Sequence, residues 1–291
     1  CVLCINIMIK KNNNWDQIIK KNQGSFFKTN FKEIFSYLDL IFLLVKRDFT
    51  TFYKQTILGP LWYIIQPLVN TIVFTIIFGK LANISTDGLR PFIFYMSGTI
   101  CWAYFSNCLS LTSDTFSSNA DIFGKVYFPR LTVPIANVII GLLQFSIQFL
   151  LFICFLIYFI WNGMAIYPNV LVLTLPLILF QMAVLGLGFG ILISSLTTKY
   201  RDLTFAMTFA LQIWMYVTPI VYPLSTIPDK YRLLLALNPM CSIVECFRLA
   251  FFGESSIETI HITLSIAITI VIFIAGVIMF SKVEKNFMDT V

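Results

Sequence analysis

The sequence is short of charge. Asp, Glu, Lys and Arg make up 12% of its 291 residues, against about a quarter in an ordinary soluble domain, and His261 is the only histidine. The shortage is concentrated, because the 68 residues from Leu131 to Thr198 contain no Asp, Glu, Lys, Arg or His. About 20 apolar residues cross the roughly 30 Å hydrocarbon core of a bilayer as a helix, so this run is long enough for two crossings. Trp161-Asn162-Gly163, followed by Pro168, supplies helix-ending residues where a hairpin tip should fall. A soluble domain needs no such run. Whatever the chain does is done in or across a membrane.

Other absences narrow the function. There is no G-x-x-x-x-G-K-[ST] phosphate loop: Gly79-Lys80 and Gly124-Lys125 lack both the earlier Gly and the following Ser or Thr. Work against a gradient would therefore draw its energy from a partner. His261 has no motif pairing it with a nucleophile or carboxylate, which leaves enzyme chemistry unsupported and no catalytic residue to nominate. Charges stand at the ends of the apolar stretches rather than in their middles, which disfavours an ion-coupled carrier, and no internal repeat marks an inverted-repeat transporter. The seven cysteines lack C-x-x-C spacing, so no metal site is expected. Cys101, Cys108 and Cys154 lie in apolar stretches as small hydrophobes, and only Cys241 and Cys246 fall where an oxidising compartment could reach them. The net charge of +6 comes without a basic reader helix or an aromatic stacking module, so no nucleic-acid partner is expected.

What is present is 58% hydrophobic, with 30 Phe and a mean hydropathy of +0.85. Residues 1–30, rich in Lys and Asn, are expected to form a weakly ordered extension. No cleaved signal peptide is expected there, because Val2 to Ile9 precedes the basic residues. Over residues 31–56, Ile34, Leu38, Ile41, Val45, Phe49 and Phe52 recur every three or four positions between Lys32, Glu33, Asp39, Lys46, Arg47 and Asp48. That spacing predicts an amphipathic helix lying along the membrane surface. Residues 57–291 then read as six spans, at about 61–79, 91–113, 133–160, 168–197, 203–222 and 260–281. Six crossings put both termini on one side. That side holds 15 Lys and Arg against five opposite, which predicts cytoplasmic termini. Between spans five and six, Pro223, Pro228 and Pro239 cut an apolar stretch into pieces too short to cross, predicting short re-entrant helices, with Glu245 and Arg248 placed to pair at i,i+3.

The spans carry uncharged polarity at helical spacing. Tyr63, Gln66, Asn70 and Phe74 share a face of span one, Thr204, Thr208, Gln212 and Tyr216 a face of span five, and Asn137, Gly141, Gln144 and Gln148 a face of span three. Such stripes either glue the bundle by interhelical hydrogen bonds or wall a passage for an uncharged or bulky cargo. With Trp62, Phe78, Phe205, Phe209 and Trp214 beside them, the mixture of aromatic faces and amides suits a glycan, while interfacial anchoring is an alternative for Trp62. The Gly186-x-Gly188-x-Gly190 run fits close helix packing rather than nucleotide binding. In the loop after span two, Asn119 is placed to cap a short helix that presents Ile122 and Phe123 as apolar knobs, with Gly124 ending it.

A resemblance joins these features. Tyr53-Lys54-Gln55-Thr56-Ile57-Leu58-Gly59-Pro60-Leu61-Trp62-Tyr63-Ile64-Ile65-Gln66-Pro67 resembles the start of the first span in ABC-2 type permeases that export O-antigen, teichoic acid and related polysaccharides. The likeness continues, in family order, through residues 123–130 (FGKVYFPR), 199–202 (KYRD), 218–223 (TPIVYP), 237–240 (LNPM) and 284–288 (EKNFM). The resemblance implies a homodimeric permease with two copies of a separate ABC ATPase, which alone uses ATP and Mg, so this chain binds no cofactor itself. It implies a bacterial cytoplasmic (inner) membrane location and a lipid-linked glycan cargo moving past Trp62, Tyr63, Gln66, Asn70, Phe74, Thr204, Thr208, Gln212 and Tyr216. Asn119, Ala120, Asp121, Ile122, Phe123, Gly124 and Lys125 would form the coupling helix that docks on the ATPase. Asn238, Pro239, Glu245 and Arg248 would belong to the outer gate. The alternatives are an ABC-2 exporter of drugs or small lipids and a polytopic glycosyl- or acyltransferase.

Overall fold

The computed structural model describes residues 31–55, 58–123, 126, 128–164, 169–198, 200, 202–253 and 257–286. Among them there is no strand. The helices are α1 (Phe31–Ser36), α2 (Leu38–Gln55), α3 (Trp62–Phe74), α4 (Pro91–Ser113), α5 (Thr115–Ser118), α6 (Ala120–Phe123), α7 (Thr132–Trp161), α8 (Leu175–Thr197), α9 (Leu203–Val217), α10 (Asp229–Ala236), α11 (Pro239–Phe252) and α12 (Thr259–Asn286). A π-helical turn, Thr75–Leu81, prolongs α3, and a 3₁₀ turn, Val170–Thr174, precedes α8.

Four stretches are long and apolar enough to cross a membrane: Trp62–Leu81, Thr132–Trp161, Val170–Thr197 and Thr259–Glu284. The chain is an integral membrane protein. The charge-free run forms two of these helices, and Gly163 ends the first in the left-handed conformation at φ +78°. The Gly163 and Met164 amides donate to the Ile160 and Phe159 carbonyls, the paired bonds that close a helix with Gly just beyond its cap. α4 has the length of a crossing at 23 residues but is the packed centre of the molecule, with Tyr95, Ile100, Phe105 and Cys108 fully buried. The span expected over 203–222 is instead the 15-residue α9, which stops at Val217. Thr218 is extended there, as a residue before proline must be, and Pro219 has no N–H to continue the helix. α10 and α11 meet at an angle of 100° across Leu237-Asn238, so the pair counts as a fifth candidate span only if taken as one broken helix.

Helices α3, α7, α8, α9 and α11 pack around α4, and α12 packs along α8. The three glycines of α8 make both contacts possible. A Cβ on Gly186 or Gly190 would lie 2.9 Å or 2.4 Å from the Cβ of Cys108 or Thr112 on α4. A Cβ on Gly188 would lie 3.0 Å from the Phe273 Cα of α12, and one on Gly276 of α12 would lie 2.5 Å from the Gly188 carbonyl oxygen. Small residues thus let α8 approach two helices on opposite sides, as the spacing implied. A second apolar cluster lies where α2 crosses α7: Ile34, Ile41, Leu44 and Val45 bury against Leu131, Val133, Ala136 and Ile140, with Phe116, Phe123, Phe128 and Phe280 beside them. The predicted N-terminal helix breaks at Tyr37 into α1 and α2, and leaves Phe35, Leu38 and Phe42 exposed next to its charged strip.

Candidate functional site

A cleft of about 670 Å³ opens between α3, α4, α7 and α9. From α3 it takes Trp62, Tyr63, Gln66, Pro67, Asn70 and Phe74, the whole stripe expected from the sequence. From α7 it takes Gly141, Gln144, Phe145 and Gln148. The α9 wall is thinner than expected. Only Gln212 and Met215 reach the cleft, while Thr204, Thr208 and Tyr216 do not. Thr208 instead bonds the Thr204 carbonyl of its own helix at 3.3 Å, and Tyr216 is exposed. Trp214 points the other way, edge-on to Trp102, Phe105 and Phe189.

The remaining wall comes from α4, which the sequence reading did not nominate. Thr99, Trp102, Ala103, Tyr104, Ser106, Asn107, Ser110 and Leu111 line it. Thr99, Ala103, Ser106 and Ser110 form a small-residue stripe at helical spacing, with Trp102, Tyr104 and Asn107 beside it.

Glue and wall are both present and separable by residue. Asn107 donates its amide to Gln144 Oε1, and Gln144 donates to the Tyr63 hydroxyl at 2.9 Å, tying α4, α7 and α3 together. Thr71 and Thr99 share a bond at 3.3 Å, and Asn137 donates to the Leu111 carbonyl at 2.9 Å. Gln66, Asn70, Gln148 and Gln212, by contrast, make no side-chain hydrogen bond among the described residues and line the cleft. Among the described residues, no lining residue is charged.

A second constellation surrounds Arg248 on α11. Its guanidinium is 2% exposed and lies 3.2 Å from Glu245 Oε1, as the i,i+3 spacing implied. Nη1 donates to the Pro219 carbonyl at 2.6 Å and Nη2 to the Ile220 carbonyl at 2.9 Å, while Nε reaches Ser97 Oγ at 3.4 Å. The group also stacks over Phe94 with Cζ 3.7 Å from the ring centroid. These carbonyls lie just past the end of α9, where no helix pairs them, so the arginine satisfies them while Glu245 balances its charge. Asn238 does a similar task beside Pro239. It accepts from the Met240 amide (3.1 Å) and the Trp214 indole (3.0 Å) and donates to Thr218 Oγ1 (3.0 Å), capping α11 and pinning it to the end of α9. Cys241 and Cys246 are free thiols on this same helix.

The loop after α4 departs from expectation in two respects. Phe123 does not protrude: it is 2% exposed and packs against Phe116 (5.9 Å) and Phe128 (5.6 Å), under the Arg130 guanidinium. An apolar ring beside a larger apolar cluster is buried by it, and the local pattern could not show that cluster. Asn119 does not cap the following turn with its side chain, which donates back to the Thr115 carbonyl at 3.0 Å, while its own carbonyl accepts from the Ile122 and Phe123 amides. Ile122 is half-buried. Gly124 and Lys125 lie outside the described residues, as do the side chains of Ala120 and Asp121. Arg130 at the end of the loop bonds the Glu284 carbonyl at 3.0 Å, joining it to α12.

Residues 39–252, which include the cleft, the loop and the Arg248 constellation, match the profile of the ABC-2 type transporter family. The chain belongs to that family. Among ABC-2 relatives, the O-antigen export system permease protein RfbA of Klebsiella pneumoniae is 26% identical over 252 residues, 86% of this chain and 94% of the relative. RfbA of Myxococcus xanthus is 25% identical over 264 residues, 89% and 98% of the two chains. The polysialic acid transport protein KpsM of Escherichia coli is 22% identical over 242 residues, 83% and 92%.

Proposed function

We propose that this ABC-2 permease is the membrane subunit of an ATP-driven exporter that moves a lipid-linked polysaccharide, O-antigen or a related glycan, across the bacterial cytoplasmic membrane. The observation that carries the proposal is the cleft, an uncharged wall of indoles and free amides, in a chain whose relatives along nearly their whole length bear the names of polysaccharide exporters. Aromatic faces stack on sugar rings while amides bond hydroxyls. ATP and Mg belong to a separate ABC ATPase, two copies of which serve a homodimer of this chain. α4 and α9 complete six spans with both termini cytoplasmic. α1 and α2 lie at the cytoplasmic interface with Phe35, Leu38 and Phe42 in lipid, and α10 with α11 forms a re-entrant outer gate held by Asn238 and the Glu245–Arg248 pair. The turn around Ile122 couples to the ATPase.

The test is deletion of the gene, with glycan-stained gels of surface extracts beside lipid extracts of the inner membrane. The expected result is loss of surface polysaccharide with full-length lipid-linked glycan retained inside. Unchanged surface glycan with no retained intermediate would refute the proposal and favour export of small molecules.

A further inference from the structure

The cleft is lined by amides, Gln66, Asn70, Asn107, Gln144, Gln148 and Gln212, beside the Tyr63 and Tyr104 hydroxyls. Gln148 is 8% exposed, yet it makes no side-chain hydrogen bond among the described residues and its amide atoms are not sealed off. Its residual exposure is therefore to the cleft. Gln66, Asn70 and Gln212 are likewise unbonded and face the same space, with the Trp62 and Trp102 indoles at its sides. A buried amide with nothing to bond is costly, as at Gln148, and the exposed Gln66, Asn70 and Gln212 present their amides to the same space, so together they mark a place where something that donates and accepts hydrogen bonds belongs. Gln144 differs from these four, because its bonds to Asn107 and Tyr63 fix the wall rather than offer it to a ligand.

The charge of the occupant follows from the same lining. Amides offer donors and acceptors in equal measure, which suits hydroxyls. Recognition of a carboxylate or phosphate uses Arg or Lys, and among the described residues neither lines the cleft. An anion placed here would be desolvated without a counter-charge. The volume, about 670 Å³, is within the range of small-ligand sites.

We infer that this cleft, within a single protomer, is a subsite for an uncharged pyranose unit of the cargo, and that it discriminates against acidic sugars. The inference rests on the exporter reading and adds to it the charge class of the sugar. The test is titration of tryptophan fluorescence in the full-length chain, assembled with its ATPase in nanodiscs, using maltotriose as the neutral probe and a linear trimer of N-acetylneuraminic acid as the acidic one. Maltotriose is expected to give a saturable change, and the acidic trimer none at a tenfold higher concentration. The Gln66→Leu/Gln148→Leu double variant should raise the half-saturating concentration about tenfold, since each amide loses a bond to a hydroxyl. Asn70→Leu, at an exposed position that folding does not depend on, should raise it about threefold. Equal response to the acidic trimer, no saturable response to either sugar, or a maltotriose response unchanged in both variants would each overturn the inference. Deletion of the gene reads export without reference to the cleft, so retained lipid-linked glycan beside a failed titration would sink this subsite and leave the exporter standing.

Discussion

The Glu245–Arg248 pair gives a prediction whose size follows from burial. Arg248→Met keeps most of the side-chain volume but removes the donors to the Pro219 and Ile220 carbonyls and takes the Arg248 charge from beside the Glu245 carboxylate, which is 4% exposed. Breaking a buried pair from one side costs about 3–5 kcal/mol, because the surviving charge stays desolvated. At roughly 2–4 °C per kcal/mol for a large domain, the melting temperature should fall by roughly 6–20 °C. Adding Glu245→Gln to Arg248→Met removes the remaining buried charge of the pair, so the double variant should recover part of the loss, though not the part owed to the two bare carbonyls. The assay is heating of the detergent-solubilised protein followed by gel filtration of the surviving fraction. Two results would refute the reasoning: a single variant melting within about 2 °C of the parent, or a double variant whose loss equals the sum of the two singles, which would show that the residues are not coupled.

Five further substitutions probe other contacts. Gly190→Ala would set a Cβ 2.4 Å from that of Thr112, forcing α8 off α4, and should cost about 1–3 kcal/mol as overpacking, read as lower melting in the same assay. Gln144→Leu leaves Asn107 and the Tyr63 hydroxyl without their shared partner and should cost about 1–3 kcal/mol, while Gln66→Leu, with no bond to lose, should leave melting unchanged. In the loop after α4, Phe123→Ala should lower the amount of folded protein through a core cost of about 3–5 kcal/mol. Ile122→Arg should instead abolish surface polysaccharide with normal amounts of protein in the membrane, and normal export by that variant would remove the coupling assignment.

Local rules made part of this legible. The charge-free run, the Gly163 stop, the three glycines of α8 and the Glu245–Arg248 spacing each express a constraint that acts within a few residues or along one helix. The span-one stripe was legible for the same reason: Tyr63, Gln66, Asn70 and Phe74 share a face whichever helix they meet. Rotation of one helix against another was not. Thr204, Thr208, Gln212 and Tyr216 share a face of α9, yet only Gln212 reaches the cleft, because α9 touches the bundle at few points and tilts according to those contacts. Phe123 was misplaced because its partners, Phe116, Phe128 and Phe280, come from three separate segments. The α4 wall was not legible because Thr99, Ala103, Ser106 and Ser110 are small and read as packing until a void is found beside them, and because nothing local separates a lining Trp102, Tyr104 or Asn107 from a packed one.

α9 has one buried residue, Leu211, in its 15, whereas α4 beside it buries most of its length. A helix so lightly held has a low local opening energy, since few apolar contacts must be lost to displace it. Its far end, however, is tethered through the Arg248 bonds to the Pro219 and Ile220 carbonyls and through Asn238 to Thr218 and Trp214. Mechanically this is a hinged door: a panel free along most of its face and fixed at one edge. Amide hydrogen exchange should therefore run fast over residues 203–213 and slow abruptly at Trp214, a gradient along a single helix that a uniformly packed bundle would not show.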